Sequence, residues 1–231
     1  MEHAFYGDLR RYLRARRTLA ERARDGLPEP EAAHVAAAAL TRLAREAAAA
    51  LGYLAHERLV HRDVRAANCL VDVRRSLKLA DFGMARRLDK PGKREYLCKR
   101  RAMFPVLWMA PESLSRGVFS AASDVWALGV LLLELATLGE RPYGAWATPR
   151  VLRHVREGGA PPLPQDATPS TRGITAACWR RLPEERPTAA ELVAYLADHP
   201  RAIQPALEPN ADADTNAAPD TDVYIEEWTV N

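Results

Sequence analysis

At 231 residues the chain is long enough for one large domain or two small ones, and 48% hydrophobic with 27% charged residues is the balance of a soluble globular protein. A formal charge of +3 is too small to argue for a nucleic-acid partner. Three widely spaced cysteines, Cys69, Cys98 and Cys178, form no Cys-x-x-Cys pair, which argues against a disulfide framework or a zinc site and suggests a reducing compartment.

The opening Met1-Glu2-His3-Ala4 lacks the apolar core of a signal peptide, so a cytoplasmic location is expected. An amphipathic helix is predicted from about Asp8, with Leu9, Tyr12 and Leu13 at helical spacing, ending before Gly26-Leu27-Pro28. The alanine-rich stretch from Glu31 to about His56 predicts one long helix, with Pro30 suited to its first turn. Two β-rich pieces, Cys69 to Val73 and Leu77 to Leu79, predict a hairpin around Arg74-Arg75-Ser76. Helical patterns return over Ala121 to Leu138, Pro149 to Glu157, Arg172 to Arg181 and Thr188 to Asp198. The apolar run from Val125 to Leu138 contains Glu134 and falls short of the roughly 20 residues of a membrane span, so it reads as a buried core helix. Residues 203–231, rich in Pro, Ala, Asp and Asn, are expected to form a disordered acidic tail. The charge is unevenly spread: Arg86, Arg87, Lys90, Lys93, Arg94, Lys99, Arg100 and Arg101 crowd one stretch, while nothing after Arg201 is basic.

Three blocks carry chemistry: His61-Arg62-Asp63-Val64-Arg65-Ala66-Ala67-Asn68, then Asp81-Phe82-Gly83, then Ala110-Pro111-Glu112. In this order and spacing they resemble the catalytic core of protein kinases. Such chemistry needs a carboxylate to orient the acceptor hydroxyl, and an amide and second carboxylate to hold magnesium bridging the ATP phosphates. The resemblance implies a mainly α fold like the larger, C-terminal lobe of a kinase, with a small β-hairpin at the catalytic loop. It covers roughly residues 1–198, and the lobe is expected over 1–202, with a hinge at 1–8, a catalytic loop at 61–68 and an activation segment at 81–112.

Carried over residue by residue, Asp63 is the hydroxyl-orienting base and Arg65 its charge partner. Asn68 and Asp81 hold Mg2+, Glu2 and Ala4 offer hinge backbone to adenine, Asp8 contacts the ribose, and Leu70 forms the apolar floor. His61, anchored through Asp124, and Arg62, facing a phosphate on the activation segment, are architectural, and Glu112 and Arg186 form a buried ion pair. Arg65-Ala66-Ala67-Asn68 and Pro105-Val106-Leu107-Trp108-Met109 resemble tyrosine kinases, and Leu138-Gly139-Glu140-Arg141-Pro142-Tyr143 resembles the insulin-receptor type. Receptor enzymes of that type usually carry Ala-Ala-Arg-Asn in the catalytic loop and Arg where Leu107 stands. Tyr96, nine residues before Pro105, is the candidate activation-loop phosphosite. Tyr224, in Asp222-Val223-Tyr224-Ile225-Glu226-Glu227, is a second one, suited to phosphotyrosine-binding signalling proteins.

The chain begins at a hinge-like segment, and no Gly-x-Gly-x-x-Gly loop or Val-Ala-x-Lys lysine precedes it. An N-terminal lobe is therefore expected to be absent, leaving this chain alone weak in ATP binding and phosphate transfer. The expected function is an ATP-dependent protein tyrosine kinase acting on tyrosine-containing proteins, at the cytoplasmic face of the plasma membrane if part of a receptor. The alternative is a catalytically impaired scaffold that docks phosphotyrosine readers.

Overall fold

The computed structural model describes residues 5–26, 30–88, 92–99, 102–208 and 223–225. Helix α1 (Leu9–Arg24) is started by Asp8, whose Oδ1 accepts the Arg11 N–H at 2.9 Å, and it buries Leu9, Tyr12, Leu13 and Ala20. The single helix expected from Glu31 to His56 is instead two pieces, a 3-10 turn over Pro30–Val35 and then α2 (Ala37–His56). Ala36 between them is extended and offers no side-chain cap. Alanine gives helix propensity everywhere but no acceptor to fix a start, so burial of Val35, with its turn packed on α1, sets the boundary.

Strand β1 (Leu59–Val60) leads into the catalytic loop, and the expected hairpin is β2 (Cys69–Val71) against β3 (Leu77–Leu79), paired Cys69↔Leu79 and Val71↔Leu77. Beyond it run β4 (Arg86–Arg87), which returns to β1, β5 (Glu95–Leu97) and β6 (Ala102–Phe104). Short helix α3 (Pro111–Arg116) ends on Gly117, whose left-handed backbone (φ 65°) turns the chain into β7 (Val118–Ser120), the antiparallel partner of β5. None of these pairings beyond the hairpin is visible as sequence alternation, because each strand is only two or three residues long.

Helix α4 (Ala121–Ala136) is buried on every side from Ser123 to Ala136, as the apolar run predicts. Ser120 and Ser123 cap it reciprocally. It is followed by α5 (Thr148–Arg156), α6 (Pro169–Cys178) and α7 (Ala189–Asp198), the last begun by a Thr188–Glu191 capping box. Helix α2 packs on α4 and α7, and α4 on α6, where Gly129 lets the α6 end and Trp179 approach. Among the described residues no helix is long and apolar enough to cross a membrane.

The chain does not leave the core at residue 203. Ile203 and Ala206 are buried, the Ala206 N–H donates to the Ala136 carbonyl at 2.8 Å, and the Leu207 N–H donates to Asp166 Oδ2 at 2.9 Å. The tail boundary drawn from composition is corrected to beyond Leu207, because Ile203 is tied to Thr41 on α2 and Ala206 to the end of α4 despite their Pro-rich surroundings. Val223–Ile225 forms β8, antiparallel to β6 with Tyr224 opposite Met103. The remainder of the expected tail, 209–222 and 226–231, lies outside the described residues.

Candidate active site

The His61–Asp63 turn is hung from α4 by its backbone. Asp124 Oδ2 accepts the His61 N–H at 2.7 Å and Oδ1 accepts the Arg62 N–H at 2.9 Å. Burial pushes the Asp124 carboxyl up to about 7, against the pull of these two N–H donors. The sequence reading had His61 anchored through Asp124, and the contact is made by the peptide amides. The imidazole turns toward the hairpin: its Nδ1 accepts the Asp63 N–H at 3.3 Å and its Nε2 lies 3.1 Å from the Ala80 carbonyl. That pattern requires a neutral ring with the proton on Nε2, which agrees with the downward push that burial gives its pKa. Phe82 meets the ring edge-on at 5.0 Å.

Arg62 adopts φ 72° and Asp81 φ 57°, left-handed conformations that cost a non-glycine residue on the order of 1 kcal/mol and that gather at functional sites. The Arg62 guanidinium lies over Phe119 at 4.2 Å and Tyr96 at 4.8 Å, and donates to the Met84 carbonyl at 3.2 Å. Burial lowers its pKa.

Asp63 is buried, and its Oδ1 lies 3.0 Å from Arg65 Nε in an ion pair. Arg65 in turn stacks over Trp108 at 5.4 Å. Asn68, just before β2, donates through Nδ2 to the Asp63 carbonyl at 2.9 Å, so Oδ1 is the side-chain atom that could serve a cation. The Ala80 N–H donates to the Asn68 carbonyl at 2.8 Å, so the hairpin brings Asn68 beside the residue preceding Asp81. Asp81 is exposed, with Oδ1 accepting the Gly83 N–H at 3.2 Å. An amide oxygen and an exposed carboxylate at one end of the hairpin are the hard oxygen donors that suit Mg2+. Among the described residues there is no cluster of three or more His, Cys, Asp or Glu that could hold a metal.

The hinge-like segment lies along the hairpin. The Tyr6 N–H donates to the Val71 carbonyl at 3.1 Å, the Val71 N–H to the Gly7 carbonyl at 2.9 Å, and Asp8 bridges to half-buried Leu70. Asp8, assigned to a ribose from sequence, spends Oδ1 on capping α1. Glu2 and Ala4 lie outside the described residues, and Tyr224 is described by its backbone alone. Tyr96 is half-buried on β5 opposite Phe119. Arg186 grips Glu112 with both terminal nitrogens, Nη1 to Oε1 at 2.7 Å and Nη2 to Oε2 at 2.8 Å.

One site residue escaped the sequence reading. Buried Glu134 accepts the Ala66 N–H at 2.9 Å and the Trp108 indole N–H at 3.0 Å through Oε2, tying catalytic loop to activation segment. The signal was present: a lone acid within an apolar helix must find donors or be expelled.

The family comparison agrees with this geometry. Residues 1–196 match the protein tyrosine and serine/threonine kinase family, and the chain belongs to that family. Kinases of this family generally use ATP and Mg2+ and act on proteins, and the mainly helical body with its small hairpin is the architecture of a kinase C-terminal lobe.

Proposed function

We propose that this chain is the large lobe of a tyrosine-specific protein kinase of the insulin-receptor type, transferring phosphate from ATP to protein tyrosine once an N-terminal lobe completes the cleft. The observation that carries this is the linked constellation of Asp63 paired with Arg65 at 3.0 Å, Asn68 bonded to the Asp63 carbonyl, and Asp81 at the mouth of the same hairpin. Bound Mg2+ and ATP would supply the phosphoryl group. Asp63 accepts the hydroxyl proton of the substrate, and Arg65, paired with it at 3.0 Å, orients that carboxylate. Asn68 Oδ1 and the Asp81 carboxylate would hold the cation. Neutral His61 fixes the loop and takes no proton, because both its nitrogens are committed. The Arg65-Ala66-Ala67-Asn68 loop and the Trp108 platform under Arg65 support tyrosine over serine.

Tyr96 is the regulatory phosphosite of this reading. Its ring lies 4.8 Å from the Arg62 guanidinium and 6.0 Å from that of Arg86, so a phosphate there would gain two charge-assisted partners.

The test is phosphate transfer to tyrosine and serine peptides by the chain fused to an N-terminal lobe bearing a Gly-rich loop and its lysine, beside the 231 residues alone. Expected are tyrosine phosphorylation by the fusion, a fall of about 10²-fold or more in Asp63→Asn, and little turnover by the lone chain. Serine-only product, or turnover indifferent to Asp63→Asn, refutes the proposal.

A further inference from the structure

Outside the phosphoryl-transfer constellation, a cavity of about 290 Å³ opens between the C-terminal end of α2, the first turn of α4 and the segment that leads into α7. Its walls are mostly apolar, formed by Leu51, Leu59, Val125, Pro183, Pro187 and Ala189. Small-molecule pockets run from about 300 to 1,000 Å³, so this one lies at the small end. At about 30 Å³ of liquid volume per water-sized unit, it takes a fragment of roughly ten non-hydrogen atoms. The charged residues of the lining decide which fragment. Arg186 is the one cation among them, and its charge is spent on both Glu112 oxygens. Thr188 has its hydroxyl committed to Glu191. Glu184, on the 3-10 turn Pro183–Glu185, is exposed and makes no hydrogen bond or ion pair. Asp124 also lines the cavity, and its carboxyl is raised mainly by burial, with the Arg62 charge the weakest of the pulls against that rise. Such a carboxyl is short of positive charge.

The geometry points to a binding site for a compact organic monocation, an ammonium on a small aromatic or branched alkyl body, with the body against the apolar walls and the charge at Glu184. Charge complementarity selects this occupant. Two carboxyl groups and no unspent cation line the cavity, so an anion of the same size meets repulsion, while a neutral fragment leaves the Glu184 charge unused. A bare metal ion does not suit the lining: Mg2+ and Ca2+ need several oxygen ligands, and among the described residues there is no group of three acids, histidines or cysteines that could supply them. The site is independent of phosphate transfer and stands on its own walls. It shares one wall residue with the catalytic loop, since Asp124 also accepts the His61 and Arg62 amides.

The test titrates the full chain with three probes of one shape and different charge, 2-phenylethylamine, 2-phenylethanol and phenylacetate, and follows amide and methyl resonances by NMR. The amine is expected to shift Leu51, Leu59, Val125 and Ala189 saturably, with a Kd on the order of a millimolar for so small a ligand. The alcohol should bind about 2–5-fold more weakly and phenylacetate more weakly again, the spread expected of one solvent-facing charge contact. Glu184→Gln, at an exposed position that leaves the fold intact, should bring the amine down to the affinity of the alcohol while leaving the alcohol unchanged. No saturable shift at those four residues, phenylacetate binding as tightly as the amine, or amine affinity indifferent to Glu184→Gln would each overturn the proposal.

Discussion

Removing Glu112 should be among the most damaging single changes in this lobe, and the structure sets its size. Arg186 donates to both Glu112 oxygens and also to the carbonyls of Arg180, Ala122 and Arg181, with its guanidinium 5.1 Å from the Trp126 ring. Its side chain has no exposed surface, and that of Glu112 is 4% exposed. In Glu112→Leu the carbonyls remain but the counter-charge is gone, leaving a buried cation without an anion. Breaking a buried pair in this way costs about 3–5 kcal/mol. For a chain of this size that is a fall of roughly 6–20 °C in Tm, or about 1–2 M in the urea midpoint. Equilibrium urea unfolding followed by tryptophan fluorescence measures it. A cycle with Arg186→Met and the double variant should give a coupling of at least about 1 kcal/mol, since the double variant buries no lone charge. A Glu112→Leu protein within about 1 kcal/mol of the parent, or an additive cycle, would refute the reasoning.

Glu134→Leu keeps the volume but strips the acceptor from the Ala66 and Trp108 N–H groups, which should cost about 2–5 kcal/mol in urea unfolding and speed exchange of the Ala66 amide. Gly129→Ala gains about 1 kcal/mol of helix propensity, yet its new Cβ would stand 2.6 Å from Trp179 Nε1 and 2.7 Å from Cys178 Cβ, so overpacking of about 1–3 kcal/mol should win. A Tm above that of the parent would show that α4 and α6 can separate freely. Asp124 has a folded-state pKa of about 7 against an ordinary 3.8, so its contribution to stability is full below about pH 4 and is lost as pH rises toward 7. Asp124→Asn cannot titrate, and it also sets an amide NH2 against one of two backbone N–H donors. The variant should be less stable than the parent by about 1–3 kcal/mol, a gap that narrows between pH 5 and pH 8 in thermal unfolding. A gap that widens over that range would reverse the assigned shift.

Sequence reading succeeded where a signal was long or chemically exclusive. The apolar run around Trp126 can only be a buried helix, the helical pattern from Thr188 to Asp198 matches α7, and the β2–β3 hairpin shows through its β-branched and leucine residues. The family was legible from Asp63, Asn68 and Asp81 in order, and the match over residues 1–196 gives the same family. What stayed hidden depends on contacts between residues far apart in the chain. Pairing of β5 with β7, or of β6 with β8, joins strands of three residues whose own pattern is too short to declare itself. The break at Ala36 is set by packing on α1, and the fit of Ile203 and Leu207 against the helices overrides a composition that reads as tail. The role of Glu134 was announced by its apolar neighbours, but only three dimensions name its two donors.

The way Asp124 holds the loop separates location from content. Because the grip is on the peptide groups of positions 61 and 62, replacing either side chain would alter what the loop carries without changing the point from which it is suspended. The position of residues 61 and 62 is thus written in the first turn of α4, and those two residues are free to differ in chemistry around a fixed mount.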